Sequence, residues 1–376
     1  MDRAISHASR IPTASDLHCS GMKVVAAVAE QYPASTGRNT LPLVSIIVPA
    51  YNAARFLREA LDSLLAQTYQ NVDIILLDDA STDATPEIAA EYAGRITYVR
   101  QPNNLGIYDN VNVGIARARG DLIATYHADD IYLPTIVEAE VAYLGAHPEV
   151  GAVFCSAILI DEKGLEYRRM PLQPEVRGEK PLDYRTVLNA LLMYKNRFMI
   201  CPTAMVRASV HRDVGVYQLQ YGIASDLDMW LRIARRYPIA VLQSHLMKYR
   251  RFHGSSSEHY DRLRTSPEEL FMILDERLAA GDRSLADNRA LVSYEAHRSE
   301  DRLMAAISCY IKDELSEGRR ALSQVRIAAI LRAPQVQRWR LLALMMGMWG
   351  LLRLPRIESI AQLMYQRWHD KRSPAR

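Results

Sequence analysis

The feature that most restricts the fold is an alternation of short apolar runs with amphipathic segments between about residues 43 and 145. The first run, Leu-Val-Ser-Ile-Ile-Val at 43–48, ends at Pro49 and is typical of a strand that is buried on both faces. Further strands are predicted at 72–77, 96–99 and 122–126, and the segments between and after them place apolar residues at helical spacing. This order predicts a parallel sheet flanked by helices.

The chain has 376 residues, which is long for a single minimal domain and fits one large α/β domain with an appendage. Residues 1–40 mix Ser, Ala, Thr, Arg and Pro without periodicity and are predicted to be a loosely ordered leader. The α/β domain is predicted over residues 41–257. The remainder, 258–376, is rich in Leu, Arg and Ala and predicts a C-terminal helical region.

Composition excludes several classes of protein. With 49% hydrophobic and 24% charged residues the chain is not globally disordered, and its net charge of +3 gives no support to nucleic-acid binding. Four cysteines lie far apart, which predicts free thiols in a reducing compartment rather than a zinc site. No apolar stretch reaches the roughly 18–20 residues of a membrane span, and no signal peptide is recognisable. We therefore expect a cytoplasmic protein.

The apolar segment at 339–354 is flanked by arginines on both sides. One interpretation is a short helix lying in a membrane interface, which would place the protein peripherally on the inner face of the membrane. The other is a buried helix of the C-terminal region, and the sequence alone slightly favours it.

Candidate site residues follow three of the predicted strands. Ligands of parallel sheets bind beyond the carboxyl ends of the strands, where the segments 49–51, 78–79 and 127–130 fall. Adjacent carboxylates such as Asp129 and Asp130 repel each other and need a cation or hydrogen-bond donors nearby. Oxygen ligands suit Mg²⁺ or Mn²⁺, which bridge phosphate oxygens. The alternative is that these aspartates only cap the helices that follow.

These segments and their neighbours resemble the opening of family 2 glycosyltransferases. The matching stretches are VSIIVPAYN at 44–52, LDDASTD at 77–83, NLG at 104–106, NVG at 112–114, GDLI at 120–123 and HADD at 127–130. The likeness covers roughly residues 43–255, with the motifs in the order and spacing of the family. It implies a GT-A fold, a Rossmann-like and mostly parallel sheet flanked by helices. It also implies an inverting, hexosyltransferase-type enzyme that uses a nucleotide-diphosphate sugar and a divalent metal, Mg²⁺ or Mn²⁺.

The family pattern implies a role for each matching residue. Pro49, Tyr51 and Asp79 would contact the nucleotide, with Tyr51 packed on the base and the Asp79 carboxylate accepting an N–H from it. Asp129 would lie by the ribose and the metal, and Asp130 would be the more direct metal ligand. The metal would neutralise charge developing on the leaving diphosphate.

An inverting displacement also needs a base that takes the proton of the acceptor hydroxyl. The resemblance aligns Asp226 with that base, at the start of a predicted amphipathic helix, and a helix N-cap is the alternative. Asp228 falls two residues further on and should face elsewhere. In the late basic segment, Arg251 or His253 would contact phosphate and His253 could ligate the metal, whereas an ordinary surface loop is the alternative.

The sequence departs from the family pattern at three positions. His127 replaces the first Asp of the D-x-D motif, Val111 replaces an Arg, and Ser225 replaces the Glu before the base. The first departure bears on the geometry of the metal site, and the second on the grip on the pyrophosphate. Because the Q-x-x-R-W motif and membrane spans of processive synthases are missing, we expect transfer of a single sugar.

Three functions remain open at this stage. The favoured one is transfer of a sugar to a hydroxyl of a cell-surface glycan or glycolipid precursor, with a glycan or lipid-linked acceptor. The second is a catalytically silent protein that binds nucleotide sugars or acts as a scaffold, for which His127 and Ser225 would be signs of decay. A sugar nucleotidyltransferase is disfavoured because residues 49–54 contain no glycine for a phosphate-binding loop.

Overall fold

The computed structural model describes residues 41–178, 180–252, 263–333 and 338–370. The predicted leader, His253 and the predicted division at residue 257 lie outside the described residues. Within the described residues, nine strands form one sheet in the order β3-β2-β1-β4-β8-β6-β9-β5, with β7 paired to β6. Their bounds are β1 Val44–Ala50, β2 Val72–Asp78, β3 Thr97–Arg100, β4 Leu122–Thr125, β5 Ile131–Tyr132, β6 Ala152–Ile160, β7 Glu166–Arg169, β8 Ala204–Arg207 and β9 Ile239–Arg250.

Helices cover the sheet and make up the described C-terminal part of the chain. Their bounds are α1 Leu57–Leu65, α2 Thr85–Glu91, α3 Ile107–Arg117, α4 Ile136–Ala146, α5 Tyr184–Tyr194, α6 Ala208–Val214, α7 Ser225–Arg236, α8 Glu269–Ala279, α9 Asn288–Ile311, α10 Leu315–Ser323, α11 Ile327–Arg332, α12 Arg338–Leu351 and α13 Glu358–Asp370. Short 3₁₀ turns occur at Pro174–Val176, Cys201–Thr203, Leu219–Ala224 and Asp282–Leu285.

The first four strands form the parallel half of the sheet that the sequence predicts. Strand β1 lies between β2 and β4, parallel to both, and β3 continues the sheet parallel to β2. The register places Ala50 beside Asp78, so the carboxyl ends of β1 and β2 lie together. All seven residues of β1 are buried, as expected for a strand covered on both faces.

The second half of the sheet mixes directions. Strand β8 is antiparallel to β4 and β6, β9 is parallel to β6, and β5 is antiparallel to β9. Both β6 and β9 are longer than the apolar runs at 152–156 and 239–242, which predict a strand at each position. In β9 the apolar run ends at Leu242 because the distal part of the strand mixes half-buried polar residues, such as His245 and Lys248, with buried apolar ones such as Met247.

Two apolar cores lie on opposite faces of the sheet. Successive residues of β1 point to opposite faces, so Ile46 packs in one core and Ile47 against the other face. Helix α3 lies close to the sheet at Gly114, where a Cβ atom would sit 2.5 Å from Leu77 Cδ1. Helix α8 shares a core with α5 and α7, and so the first helix described after the predicted division packs against helices of the α/β domain.

A third, smaller core holds the C-terminal helices together. It contains residues of α9, α11, α12 and α13 and the start of the loop after α12: Leu303, Ala306, Tyr310, Ile330, Leu341, Met348, Leu352 and Ala361. Over the described residues, no helix combines the length and the apolar character that crossing a bilayer requires.

Candidate active site

The loops that follow β1 and β2 are tied to each other by side chains. Asn52 accepts a hydrogen bond from the Thr82 N–H at 2.8 Å through its side-chain oxygen, and its own N–H donates to the Ser81 hydroxyl at 2.9 Å. Asn52 and Ala80 both have positive φ, at 50° and 59°. Such a conformation is strained for alanine and concentrates at functional sites. This frame presents Tyr51, which is 53% exposed, next to the end of β2, while Pro49 is buried within β1.

The two carboxylates at the end of β2 have different surroundings. Asp79 accepts the backbone N–H groups of Leu105 and Gly106, at 2.7 and 2.9 Å, which orient its carboxylate toward the start of α3. Each oxygen retains a further lone pair that can accept another donor. Asp78 is fully buried and accepts bonds from the Ser81 N–H and the Tyr98 hydroxyl, so it stabilises the turn.

The carboxylates after β4 join a histidine in a compact cluster. Ligand atoms of His127, Asp129 and Asp130 all lie within 4.8 Å of one another. Asp130 is 1% exposed, and within the described part of the chain its Oδ2 atom has no hydrogen-bond partner. Burial, and then the charge of Asp129, raise the pKa of Asp130 well above its usual value, against the opposing effect of Arg250. Burial also lowers the pKa of His127, which favours the neutral ring.

This cluster fits a divalent cation. A cation beside Asp130 would satisfy the orphaned Oδ2 atom and offset the repulsion between the two carboxylates. Two carboxylates suit Mg²⁺ and Mn²⁺, and a neutral imidazole additionally suits a transition metal. Helix α4 begins after Thr135, with no side-chain cap, so the capping alternative for Asp129 and Asp130 is wrong.

Arg250, at the end of β9, fastens the acidic loop to the sheet. Its backbone N–H donates to Asp130 Oδ1 at 2.8 Å, and its Nε atom donates to the Asp129 carbonyl at 2.9 Å. The guanidinium is buried, pairs with Glu59 and lies over the Phe56 ring. The sequence reasoning singled out Arg251 and His253 in this segment and missed Arg250. No local signal marks it, because its partners are distant in the chain.

Asp226 lies in the first turn of α7. The N-cap of α7 is Ala224, and Asp226 accepts the adjacent Leu227 N–H at 2.7 Å, so the N-cap alternative for Asp226 is wrong. Burial raises the pKa of Asp226 from 3.8 to about 7. Asp228 is fully engaged elsewhere, in ion pairs with Arg232 and Arg277 at 2.7 Å each.

The Cys201 thiol is affected by the charge of Asp226 and by that of Asp130 in the acidic cluster. Burial first, and then the charges of Asp226 and Asp130, raise the pKa of the Cys201 thiol, so both carboxylates lie near it. Helix α3 also positions this region, since Asn112 exchanges two hydrogen bonds with the backbone of Tyr217, and the Tyr108 hydroxyl donates to the Ile223 carbonyl at 2.6 Å. Asp226 and Asp130, one member of the acidic cluster, therefore lie close enough to the same thiol to act on it electrostatically.

The fold is that of an α/β protein. The carboxyl edge of its sheet, here called the sheet rim, carries an acidic site that fits a metal ion, and the structure also holds a buried carboxyl group at Asp226. Comparison with known proteins gives the family. The model of glycosyl transferase family 2 matches residues 45–215. A putative glycosyltransferase, EpsE, from Bacillus subtilis is 34% identical over 52% of this chain and 67% of its own length. An uncharacterized glycosyltransferase from Haemophilus influenzae is 32% identical over 57% of this chain and 67% of its own length.

Other relatives are longer. An uncharacterized glycosyltransferase of Rickettsia felis is 32% identical, and the chain spans only 35% of it. Among solved structures, that of S. aureus TarS 1-349 in complex with UDP-GlcNAc aligns with a TM-score of 0.54 at 16% identity, covering 82% of this chain and 90% of that one. This likeness shows the same fold, GT-A. The chain belongs to glycosyl transferase family 2.

Proposed function

We propose that this protein is an inverting glycosyltransferase that transfers one sugar from a nucleotide-diphosphate sugar to a hydroxyl group. The observation that carries the proposal is the placement of Asp226, a carboxyl group with a pKa of about 7, near the acidic cluster that would hold the donor's diphosphate. A base beside the acceptor hydroxyl is a requirement of the transfer reaction and not of nucleotide-sugar binding alone.

For the donor, the proposal assigns the nucleotide to Pro49, Tyr51 and Asp79. The exposed Tyr51 ring is available to pack on a base, and Asp79 is held by two backbone N–H groups with lone pairs to spare. The complex of S. aureus TarS with UDP-GlcNAc supports a nucleotide sugar as the donor class.

For the metal, Asp130 and Asp129 would hold Mg²⁺ or Mn²⁺, and His127 would be a third ligand. The bound cation supplies neutralisation of the charge on the leaving diphosphate. Arg250 keeps the loop in place through its bonds to the backbone of Asp129 and the carboxylate of Asp130. His253 stays a prediction, since it lies outside the described residues.

Asp226 would take the proton of the acceptor hydroxyl as that oxygen attacks the anomeric carbon. A base is most effective when its pKa lies near the working pH, and burial brings the pKa of Asp226 to about 7. Because Asp226 makes no ion pair among the described contacts, its ionised form is free to accept that proton.

The acceptor we propose is a cell-surface glycan or a lipid-linked precursor of one, reached from the cytoplasmic side of a membrane. Cys155, Cys201 and Cys309 are free thiols, which supports a reducing compartment.

A thermal-shift screen of nucleotide sugars, each with and without Mn²⁺, tests the donor and metal assignments. Stabilisation rises with ligand concentration over Kd, so the true donor should raise Tm only when metal is present. Asp130→Ala should abolish the metal-dependent part, and Asp73→Ala, at the start of β2 where the carboxylate pairs with Arg119, should leave it intact. Metal-independent turnover by the wild-type protein would rule out the metal assignment.

A further inference from the structure

Helix α12 is apolar around its whole circumference. Between Arg340 and Arg353 the sequence contains only apolar residues and glycine. A helix of this kind is normally buried on all sides in a protein core or placed in a lipid environment. Against the described part of the chain, α12 is buried on one side only.

The buried side packs on the protein. Leu341, Met348 and Leu352 recur seven and four positions apart on one face and pack into the C-terminal core. The Arg319 guanidinium donates to the Leu352 carbonyl at 2.9 Å, which fixes the end of this segment. The orientation of α12 on the protein is therefore well defined.

The opposite side is exposed. Trp339, Met346 and Trp349 recur seven and three positions apart, and their exposed fractions are 76%, 66% and 56%. The chain that follows adds the exposed residues Leu354 and Ile357. Exposed apolar groups on this scale mark an interaction surface.

The charge of this segment is strongly positive. Residues 338–367 contain five arginines and one acidic residue, Glu358, a net charge of +4. Arg340 and Arg353 are exposed, and the Arg353 guanidinium lies 3.3 Å from the centre of the Trp349 ring. Arg356 is used internally, since it donates to the carbonyls of Tyr310 and Ile311 at the end of α9.

We propose that the outward face of α12 binds the surface of an anionic lipid bilayer. Tryptophan with arginine is the composition of interfacial helices, whose rings lie at the headgroup level while the cations contact lipid phosphates. A second copy of the chain fits poorly, because a two-fold interface would press one positive patch against the other. The surface stands independently of the proposed function, although it would bring the active site to a lipid-linked acceptor.

Flotation of the full-length protein with vesicles tests this surface. We expect binding to phosphatidylcholine vesicles that contain phosphatidylglycerol, and weak binding to phosphatidylcholine alone. Replacing Trp339 and Trp349 together by Ser should weaken binding at least about tenfold. Replacing Arg340 and Arg353 by Gln should weaken binding to the anionic vesicles by roughly fivefold per charge and leave binding to neutral vesicles unchanged.

Matched controls keep the outcome clear. Met346→Ser should weaken vesicle binding, whereas Met272→Ser, at an exposed methionine of α8, should not. Absence of binding to any vesicle, or full binding by the double Trp variant, would overturn the proposal. So would a dimer in solution that the double Trp variant dissociates. Donor binding by thermal shift is measured without lipid, so failure of either proposal leaves the other testable.

Discussion

Folded proteins usually bury apolar side chains and expose charged ones, and the sheet rim and the C-terminal helices depart from this arrangement in opposite ways. At the rim, carboxylates are buried, with Asp78, Asp79 and Asp130 each at most 3% exposed. On α12, by contrast, Trp339, Met346 and Trp349 are exposed. Buried polar groups and exposed apolar patches are the informative departures from the common pattern.

The difference between the two regions indicates the kind of ligand that each would bind. A buried carboxylate destabilises the protein unless a hydrogen-bond donor or a cation contacts it. Asp78 accepts hydrogen bonds from Ser81 and Tyr98, whereas Asp130 Oδ2 has no partner among the described residues. Exposure of a tryptophan ring to water is unfavourable in free energy, and an apolar partner that covers the ring removes this penalty. The unpartnered Asp130 oxygen is what leads us to propose a cation at the rim, and the exposed tryptophans are what lead us to propose a lipid surface against α12.

The largest expected effect separates two aspartates of α7. Asp226→Asn should lower kcat about 10²–10⁴-fold with donor binding nearly intact, because the base is lost and the Leu227 contact is kept. Asp228→Asn should instead lower the free energy of unfolding by about 3–5 kcal/mol, because Arg232 and Arg277 lose their buried partner. Steady-state kinetics and denaturant unfolding check the pair; normal turnover in the Asp226 variant removes it as the base.

The next effect compares two methionines of α12. Met348→Ala should lower the free energy of unfolding by about 2–5 kcal/mol, because Met348 is 2% exposed in the C-terminal core. Met346→Ala, at 66% exposed, should change it by less than about 0.5 kcal/mol. Equal losses in chemical denaturation would mean that the outward face is also packed within the protein.

The pH dependence should follow Asp226. Since only its ionised form is a base, kcat/KM should fall about tenfold per pH unit below pH 7. The folded-state pKa lies above the ordinary value of 3.8, so the folded protein binds the proton more tightly and the unfolding free energy declines as pH rises from about 4 to 7. Asp226→Asn should lack this decline. A flat rate profile between pH 5 and 8 would contradict the assignment.

The smallest effect concerns His127. His127→Ala should weaken Mn²⁺ binding in calorimetry by at least about tenfold, the loss typical of changes around metal ligands. Pulsed EPR of bound Mn²⁺ should show coupling to an imidazole nitrogen that this variant lacks. His147→Ala, at a histidine that pairs with Glu149, is the matched control and should leave both unchanged. Absence of nitrogen coupling in the wild-type protein would remove His127 as a ligand.

Much of the fold was predictable from local patterns. Residues 44–48 of the first apolar run are buried in β1, and the continuous apolar character of the run predicted a strand covered on both faces, which β1 is. Strand β9 was only half predicted, because its distal residues face neither a uniform core nor uniform solvent. The role of Arg250, the last residue of β9, could not be predicted from the sequence, since its contacts with Asp130 and Glu59 join residues that are 120 and 191 positions away.

The sequence by itself determined the parallel half of the sheet, the family and the residue types at the rim, because strand periodicity and short motifs are local properties of the chain. Only the tertiary structure decided which of these residues meet. It gathered His127 with the two carboxylates that follow it, buried Asp226 until its pKa rose, and left one face of α12 uncovered. Burial depends on distant segments packing together, and no local pattern encodes it.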